Sequence, residues 1–480
     1  MTTRAERLTF GHGLLGAVPS RTKVAAELAR EPHPVRFSRL ETWDWGWGGL
    51  LIFSILLFFR PQDQLAAIGA MHVSDMAAMI GLGAMVLLNL SRRQPITRMT
   101  PELGAVLALG AVILLTVPTS IWIGGSVRVF TDEYIKVALI FLLMVNTITS
   151  PRRIERICWV IVLAFGYISI RACFDYTRGM RLYEGSRIGG AAGGFFENPN
   201  DLALNIAAFL PLCFAYVRRP GPWIKRVLSA VIIVFMVATL VFTKSRSGLL
   251  GFAAMMVVYV VVSRALTPTT ILAGIVAGMV VLPALPQSFY ERMSSITDER
   301  KDDTGSYEAR KLLLEQAWQI FLEHPLTGVG AGQFMNYGPP GRAEKWRVTH
   351  NVLLQMASEI GIFGLIVFSF MIWRGFSAAW WTRQALSWMH RRIPKRRGRI
   401  PAAEPEDGLE PHERVFLEAH ASAMVACMAG WFVCAQFAAV GYNWTIYYLL
   451  GLSVCARDVV RARRAAYAEA KALGEGAVAA

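Results

Sequence analysis

Charged residues are scarce in this chain. Only 17% of its 480 residues are Asp, Glu, Lys or Arg, whereas 54% are apolar or aromatic. A soluble domain carries about 25% charged residues, and a disordered chain has few apolar ones. The composition therefore excludes an ordinary soluble enzyme and a disordered protein.

Cysteine is also scarce, and its six positions lack the spacing of a metal site. None forms a CxxC pair, and each lies within or beside an apolar run. The positions are Cys158, Cys173, Cys213, Cys427, Cys434 and Cys455. We therefore expect small buried side chains, no metal site and no cofactor.

The period-two alternation that is typical of outer-membrane strands is missing as well. Long apolar stretches are present instead, and they suit helices that cross a hydrocarbon core of about 30 Å. The sequence predicts an all-α polytopic membrane protein with about 12 transmembrane helices. The predicted spans are Trp47–Phe59, Met71–Leu90, Leu103–Ile123, Tyr134–Ile148, Ile157–Phe174, Leu202–Val217, Val227–Thr243, Ser247–Val262, Thr270–Leu285, Asn351–Trp373, Val415–Val440 and Trp444–Ala456.

The distribution of basic residues predicts the orientation. Residues 1–46 are polar and lack the apolar core of a signal peptide, so we expect a cytoplasmic extension. With that choice, the inner segments carry 32 Lys and Arg, against seven in the short outer loops. Both termini are therefore predicted inside, with 457–480 as a cytoplasmic tail. The net charge of +15 is expected to orient the protein and contact anionic membrane lipid, rather than nucleic acid.

One outer segment is large. It covers residues 286–350, between helices 1–9 (47–285) and helices 10–12 (351–456). Within it, Tyr307–Glu323 has apolar residues at helical spacing, which predicts an amphipathic helix along the interface. An ordered segment of this length usually carries function. The basic inner connection 374–414 is predicted to be a solvated cytoplasmic loop.

Lys244 and Arg246 lie in the short outer hairpin KSRSG. The few residues available hold Arg246 at the membrane edge, where a guanidinium suits paired hydrogen bonds to a phosphate. An arginine that reaches lipid headgroups explains Arg246 alone. Contact with headgroups explains the pair Lys244 and Arg246 less well, because the positive-inside rule disfavours basic residues in an outer hairpin.

Arg310 and His350 are further candidates on the predicted outer side. Arg310 lies on the amphipathic helix, where most arginines are simply solvated. His350 lies at the start of the tenth span, where the helix dipole favours neutral imidazole, the form that accepts a proton. A helix cap or an interfacial side chain is the alternative interpretation of His350.

Two glycine-rich segments resemble nucleotide loops but are rejected as such. Gly189–Asp201 (GGAAGGFFENPND) has no following Walker lysine and is predicted outside, where nucleotides are scarce. Its amides, Asn198 and Asn200, remain candidates for hydrogen bonding. Gly328–Gly332 (GVGAG) has no surrounding βαβ unit.

Four motifs together resemble the bacterial O-antigen ligase/polymerase superfamily. They are SRSG, FFENPNDLA, Arg310 followed by WQIFLEHPLTGVGAGQF, and THNVLLQMASEIGIFGL. The resemblance covers about residues 180–375 and is carried by the order and spacing of the motifs. It implies a GT-C-like membrane glycosyltransferase with its large helical loop in the periplasm.

The resemblance also implies a reaction and its residues. Members take a glycan from undecaprenyl diphosphate at the outer face of the inner membrane, without metal or nucleotide, and ligases transfer it to lipid A-core. Arg246, Arg310 and His350 match the ligases' two arginines and histidine, which implies a diphosphate clamp and a general base. Arg187, in SRIGG, and Glu359 match less closely. Lys244, Asn198 and Asn200 complete the predicted substrate-binding set.

Two other functions stay open at this stage. A polymerase of the same superfamily would transfer the glycan to another lipid-linked glycan. A polysaccharide flippase would need a polar path through the membrane, and the charged residues nearest to mid-span, Lys136 and Arg171, lie toward span ends. The chain also lacks the internal repeat that is common in twelve-span transporters.

Overall fold

The structure is a computed structural model, and it describes residues 44–61, 73–190, 196–219, 221–264, 306–338, 347–390 and 407–478, with positions 279, 287, 289 and 290. Over these residues the fold is almost entirely helical. The helices are α1 (Trp45–Phe59), α2 (Val73–Ser91), α3 (Pro101–Thr116), α4 (Ile123–Arg128), α5 (Ile135–Thr147), α6 (Pro151–Thr177), α7 (Pro199–Arg218), α8 (Trp223–Thr243), α9 (Arg246–Val262), α10 (Ser306–Glu323), α11 (Val352–His390), α12 (Pro411–Ala435) and α13 (Trp444–Val478). An antiparallel ribbon pairs β1 (Leu182–Tyr183) with β2 (Arg187–Ile188).

The membrane class is confirmed, whereas the span count is not. Seven described helices are long and apolar enough to cross a membrane, and α1 and α9 are apolar but shorter. Eleven predicted spans each overlap a helix. The ninth, Thr270–Leu285, lies outside the described residues apart from position 279, as does nearly all of the predicted extension 1–46. The total of twelve therefore stays a prediction.

Short polar caps set where several helices begin. The hydroxyl groups of Thr100 and Ser150 accept hydrogen bonds from the backbone amides of Leu103 and Arg153, at 3.1 and 3.2 Å. Proline follows each of these two caps, where its missing N–H costs nothing. These sequence-local signals explain why the starts of α3 and α6 are well defined.

The core forms around α7 and α12. In their apolar windows 78% and 72% of residues are buried inside the protein, compared with 17% for α2. Exposed leucine, valine and methionine side chains on α2, α3 and α8 form the outer surface instead. A bilayer supplies the apolar surroundings that such a surface needs.

Contacts among the helix termini define two distinct ends of the bundle. At one end, which we call the paired end, arginines form short ion pairs: Arg153 with Asp44, Arg457 with Glu102, and Arg414 with Asp407, each at 2.6 Å. The opposite end, which we call the hairpin end, contains the turn 243–246, the start of α11 and the end of α12.

Two predicted boundaries differ from the structure. The helix α11 continues to His390, so the first part of the predicted loop 374–414 is helical. The helix α13 continues to Val478, so the predicted tail 457–480 is largely helical as well. Apolar length marks only the membrane-crossing part of a helix, and the alanine-rich sequence after Arg457 favours continued helix.

Candidate active site

The predicted hairpin is a sharp turn between α8 and α9. Lys244 ends α8 with a left-handed backbone (φ 48°), Ser245 is the N-cap of α9, and Arg246 is its first helical residue. Lys244 and Ser245 are buried, whereas Arg246 is half-exposed. The turn therefore presents the Arg246 side chain beside the amino-terminal, partly positive end of a helix.

The guanidinium of Arg187 binds the backbone of this hairpin and the side chain of Asn200. Its Nε donates to the carbonyl oxygen of Thr243 at 3.0 Å, and its NH2 group donates to Asn200 Oδ1 at 2.7 Å. A longer ion pair of 3.5 Å links it to Glu184. Arg187 is buried, and its hydrogen bonds connect β2 with the start of α7 and the end of α8.

Asn200 completes the hydrogen-bond network. Its Oδ1 also accepts from the Ser245 hydroxyl at 2.9 Å, and the Ser245 oxygen in turn accepts from the Gly248 amide at 3.3 Å. A hydroxyl has one hydrogen, and Ser245 donates it to Asn200. The oxygen lone pairs are then directed toward the Gly248 amide, which Ser245 caps. Asn198 is the exposed N-cap of α7, and its Oδ1 accepts from the Asn200 amide at 2.8 Å.

His350 lies just before α11 in a strained conformation. Its φ of 51° is in the left-handed region, which few residues with side chains adopt. Burial, with the positive charges of Arg310 and Arg347, lowers the pKa of His350 to about 4, against the opposing effect of a hydrogen bond to the Phe437 backbone. The imidazole is therefore neutral at physiological pH, and both arginines lie within electrostatic range of it.

Packing of α10 against α11 explains why Arg310 is close to His350. Leu313 and Ala317 are buried in one small apolar cluster with Leu354 of α11 packed against it. Arg310 precedes these residues at helical spacing and shares their face. It therefore points toward the start of α11, where His350 lies.

The end of α12 connects the hairpin to His350. The Cys434 thiol contacts the Ser247 carbonyl oxygen at 3.4 Å, and the Asn351 amide donates to the Gln436 carbonyl oxygen at 3.2 Å. Phe437 then meets His350. Residues 434–437 span only about one helical turn, or about 5 Å. The hairpin and His350 therefore meet at the same end of α12, and Arg310 lies within electrostatic range of His350.

Glu359 lies apart from this group, about 13 Å further along α11. Its carboxylate is buried and accepts hydrogen bonds from the Gly332 amide at 2.8 Å and the Tyr442 hydroxyl at 3.1 Å. These contacts hold the segment GVGAGQF against the bundle. Glu359 therefore occupies a structural junction rather than the cationic group.

That junction is a break in α11. Ile360 and Gly361 leave the helical conformation, and Gly361 has a φ of 70°. The break frees the backbone N–H of Ile362 from the helix. This N–H donates a hydrogen bond to the Pro325 carbonyl oxygen at 2.8 Å. A β-carbon at position 361 would collide with the carbonyl group of Leu326, so this position requires glycine.

Several contributing residues are absent from the sequence prediction. Arg347 acts on His350, and Ser245 and Thr243 shape the hairpin. The only signal for them was proximity in sequence to His350 and Arg246. Over the described ranges, no three or more His, Cys, Asp or Glu side chains group as metal ligands would.

Fold and site together define a helical membrane protein with a cationic polar site at one end of its bundle. A family model described as O-antigen ligase matches residues 231–369. This stretch contains three of the four motifs, and the match confirms the resemblance to the O-antigen ligase superfamily. No curated protein matches the chain.

Proposed function

We propose that the protein is an O-antigen ligase-like glycosyltransferase. It transfers a glycan from undecaprenyl diphosphate to an acceptor hydroxyl, with lipid A-core as the favoured acceptor and with no metal ion or cofactor. The observation that carries the proposal is the position of His350, beside the end of α12 and within electrostatic range of Arg310 and Arg347. The family match over residues 231–369 supports the reaction class.

The arginines act on the diphosphate leaving group. When the bond between the anomeric carbon and the diphosphate oxygen breaks, negative charge grows on that oxygen. Fixed guanidinium groups stabilise this charge without reorganising, and two planar forks bind phosphate oxygens in pairs. Arg246 and Arg310 take this role, while the buried Lys244 adds positive charge behind the hairpin.

His350 acts on the acceptor. The ring nitrogen that does not face the Phe437 backbone accepts the proton of the acceptor hydroxyl as its oxygen attacks the anomeric carbon. Attack opposite the diphosphate inverts that carbon. A bound diphosphate offsets the charges of Arg310 and Arg347, so donor binding raises the pKa of His350 from about 4 and makes it a stronger base.

Arg187 and Asn200 serve as positioning residues in this proposal. Arg187 donates to the Thr243 carbonyl oxygen at 3.0 Å, Asn200 accepts from the Ser245 hydroxyl at 2.9 Å, and the two residues bond to each other at 2.7 Å. They therefore fix the hairpin that carries Arg246. Asn198 caps α7. Glu359 maintains the contact between α11 and the segment that follows α10.

The proposed location is the bacterial inner membrane. The hairpin end faces the periplasm, and the paired end, where the predicted inner segments 149–156 and 218–226 meet, faces the cytoplasm with both termini. The partners are the lipid-linked donor, the glycan acceptor and membrane lipids. Nucleic acid is not among the proposed partners; at the paired end, Arg457 and Arg414 pair with the buried carboxylates of Glu102 and Asp407.

Transfer by purified protein tests the proposal. Arg246→Ala and Arg310→Ala should each lower the transfer rate about 10²–10³-fold, and His350→Ala about 10²–10⁴-fold. Arg310→Lys should stay impaired, because a point charge does not replace the fork. Arg178→Ala, an exposed arginine that follows α6, is the matched control and should retain activity.

Full activity of all three alanine variants, with normal folding, contradicts the proposal. Lipopolysaccharide from a deletion strain then separates the two acceptor classes. Loss of all capped core supports a ligase, and core with a single repeat unit supports a polymerase. Glycan movement across vesicles without a new glycosidic bond would instead support a flippase.

A further inference from the structure

The helix α10 has a wider apolar face than its packing uses. At about 100° per residue, its apolar side chains cover an arc of about 200°. One half of this arc contains Leu313, Ala317 and Ile320, and the other half contains Leu314, Trp318, Phe321 and Leu322. The remaining arc is mainly polar, with Glu308, Glu315, Gln319 and Glu323, and Leu312 is the one apolar side chain within it.

Only the first half of the apolar arc is covered by protein. Leu313, Ala317 and Ile320 are buried against the segment that includes Val329 and Phe334. On the second half, Trp318 is 49% exposed and Leu322 is 54% exposed. Protein contacts therefore account for half of the apolar arc and leave a second apolar face at the surface.

This second face continues into other exposed apolar residues at the hairpin end. Leu326 follows α10, and its neighbour Pro325 bonds to the backbone of Ile362, next to the exposed Phe363. The buried Val329, which packs on the covered half, accepts a hydrogen bond from the amide of Ile121, next to the exposed Trp122. The surface thus merges with the exposed sides of α3 and α11, which bear Leu115 and Ile366.

We propose that this surface, formed by Trp318, Leu322, Leu326, Trp122 and Phe363, is immersed in the lipid leaflet at the hairpin end. A bilayer is the occupant because the surface is continuous with the exposed apolar sides of spanning helices, which lipid covers in any case. Tryptophan at two of its positions fits the level of the headgroups. The helix α10 then lies in the interface with its glutamates in water.

Immersion of α10 sets the depth of the candidate site. Arg310 belongs to the same helix, so its guanidinium lies at the level of lipid phosphates. The diphosphate of a lipid-linked donor occupies that level, so the donor reaches Arg310 by lateral diffusion within the leaflet. This consequence rests on the proposed function, whereas the immersion itself does not.

Spin labelling measures immersion directly. The native cysteines are buried, so a thiol-specific nitroxide reacts at introduced sites. Trp318→Cys and Leu322→Cys report the second apolar face, and Glu315→Cys and Gln319→Cys are matched controls on the polar arc of the same helix. Leu326→Cys provides a position outside the helix, in case a substitution within α10 disturbs folding. The full chain is labelled and reconstituted into phosphatidylethanolamine and phosphatidylglycerol vesicles.

The readout is the ratio of nitroxide accessibility to oxygen, which concentrates in lipid, and to a nickel chelate, which stays in water. We expect a severalfold higher ratio at positions 318, 322 and 326 than at 315 and 319. Equal ratios at all five positions overturn the proposal. Shielding from both reagents with dipolar broadening also overturns it, because a second copy of the chain would then cover the surface. Neither readout depends on glycosyl transfer, so this test and that of the proposed function fail independently.

Discussion

The Glu102 network at the paired end and the Arg187 network at the hairpin end use arginine differently. At the paired end, Glu102 has no exposed surface and accepts hydrogen bonds from Arg374 at 2.7 Å and from Arg457 at 2.6 and 3.0 Å. At the hairpin end, the short bonds of Arg187 go to the neutral oxygens of Asn200 and Thr243, and its ion pair with the exposed Glu184 is longer, at 3.5 Å. A carboxylate cancels most of the field of a guanidinium, whereas a neutral oxygen orients the guanidinium and leaves its charge in place.

The arginines of the paired end stabilise the fold, whereas those of the hairpin end act on the candidate site. The carboxylate of Glu102 joins α3, α11 and α13, so its ion pairs act as a structural junction. The positive charge at the hairpin end acts instead on a neighbouring group, since Arg310 and Arg347 help to lower the pKa of His350. Substitutions at the two ends should therefore affect different measured quantities.

The largest expected effect on stability is at the paired end. Glu102→Gln removes the carboxylate between two arginines and should lower the free energy of unfolding by about 3–5 kcal/mol, because Arg374 loses its carboxylate and the buried Arg457 keeps only Asp458. Unfolding in detergent micelles measures the change. Arg246→Gln should leave stability nearly unchanged while transfer fails. The comparison between the two ends is wrong if Glu102→Gln has the unfolding free energy of the wild type. Glu184→Gln changes an exposed carboxylate and is the control, which should leave that free energy nearly unchanged.

The next effect concerns the hairpin network. Asn200→Leu removes the acceptor shared by Arg187 and Ser245, and an unsatisfied buried donor costs about 1–3 kcal/mol. We expect a lower kcat at an unchanged KM for the acceptor, because Arg246 loses its position. Asn200→Asp keeps an acceptor oxygen and should restore most of the rate. A rate that is equally low in both variants would argue against a positioning role.

A smaller effect should appear in the pH dependence of transfer. The pKa of His350 is about 4 in the free protein, so the neutral base persists well below neutral pH. Arg310→Gln removes one repelling charge, which should raise this pKa and move the acidic limb of residual kcat/KM to higher pH. Arg178→Gln should leave the limb in place. An unmoved limb in Arg310→Gln would show that Arg310 does not act on His350.

The smallest effect compares two capping serines. Ser150 caps α6 at the paired end, and Ser245 caps α9 at the hairpin end. Replacing either by alanine should cost about 0.5–2 kcal/mol of stability. Only Ser245→Ala should also slow transfer, because that hydroxyl bonds to Asn200. Thermal unfolding and transfer assays on both variants check this, and equal activity losses would remove the distinction between the ends.

Sequence alone predicts the helices well, because apolar length and capping residues are local signals. It predicts the ends less well: α11 and α13 continue beyond their apolar parts. The break at Gly361 is not predicted, because its cause is the backbone of Pro325 and Leu326, which the fold brings alongside.

The candidate site is predictable in part. Motif resemblance singles out Arg246, Arg310 and His350 as one set, and helical spacing predicts which way Arg310 faces. The low pKa of His350 has a different origin from the expected helix dipole: burial is the main cause, followed by Arg310 and Arg347. Burial and long-range charge depend on the tertiary structure, which a residue pattern does not contain.

The interruption of α11 at Ile360 and Gly361 also affects how the protein responds to its membrane. The portion before the interruption, which follows His350, is fixed by Gly332 and Tyr442 through Glu359. The portion after it leads to Arg374 at the paired end. When bilayer thickness changes, we expect the second portion to tilt about the interruption. The first portion should keep its contacts with Gly332 and Tyr442, and with them the geometry around His350.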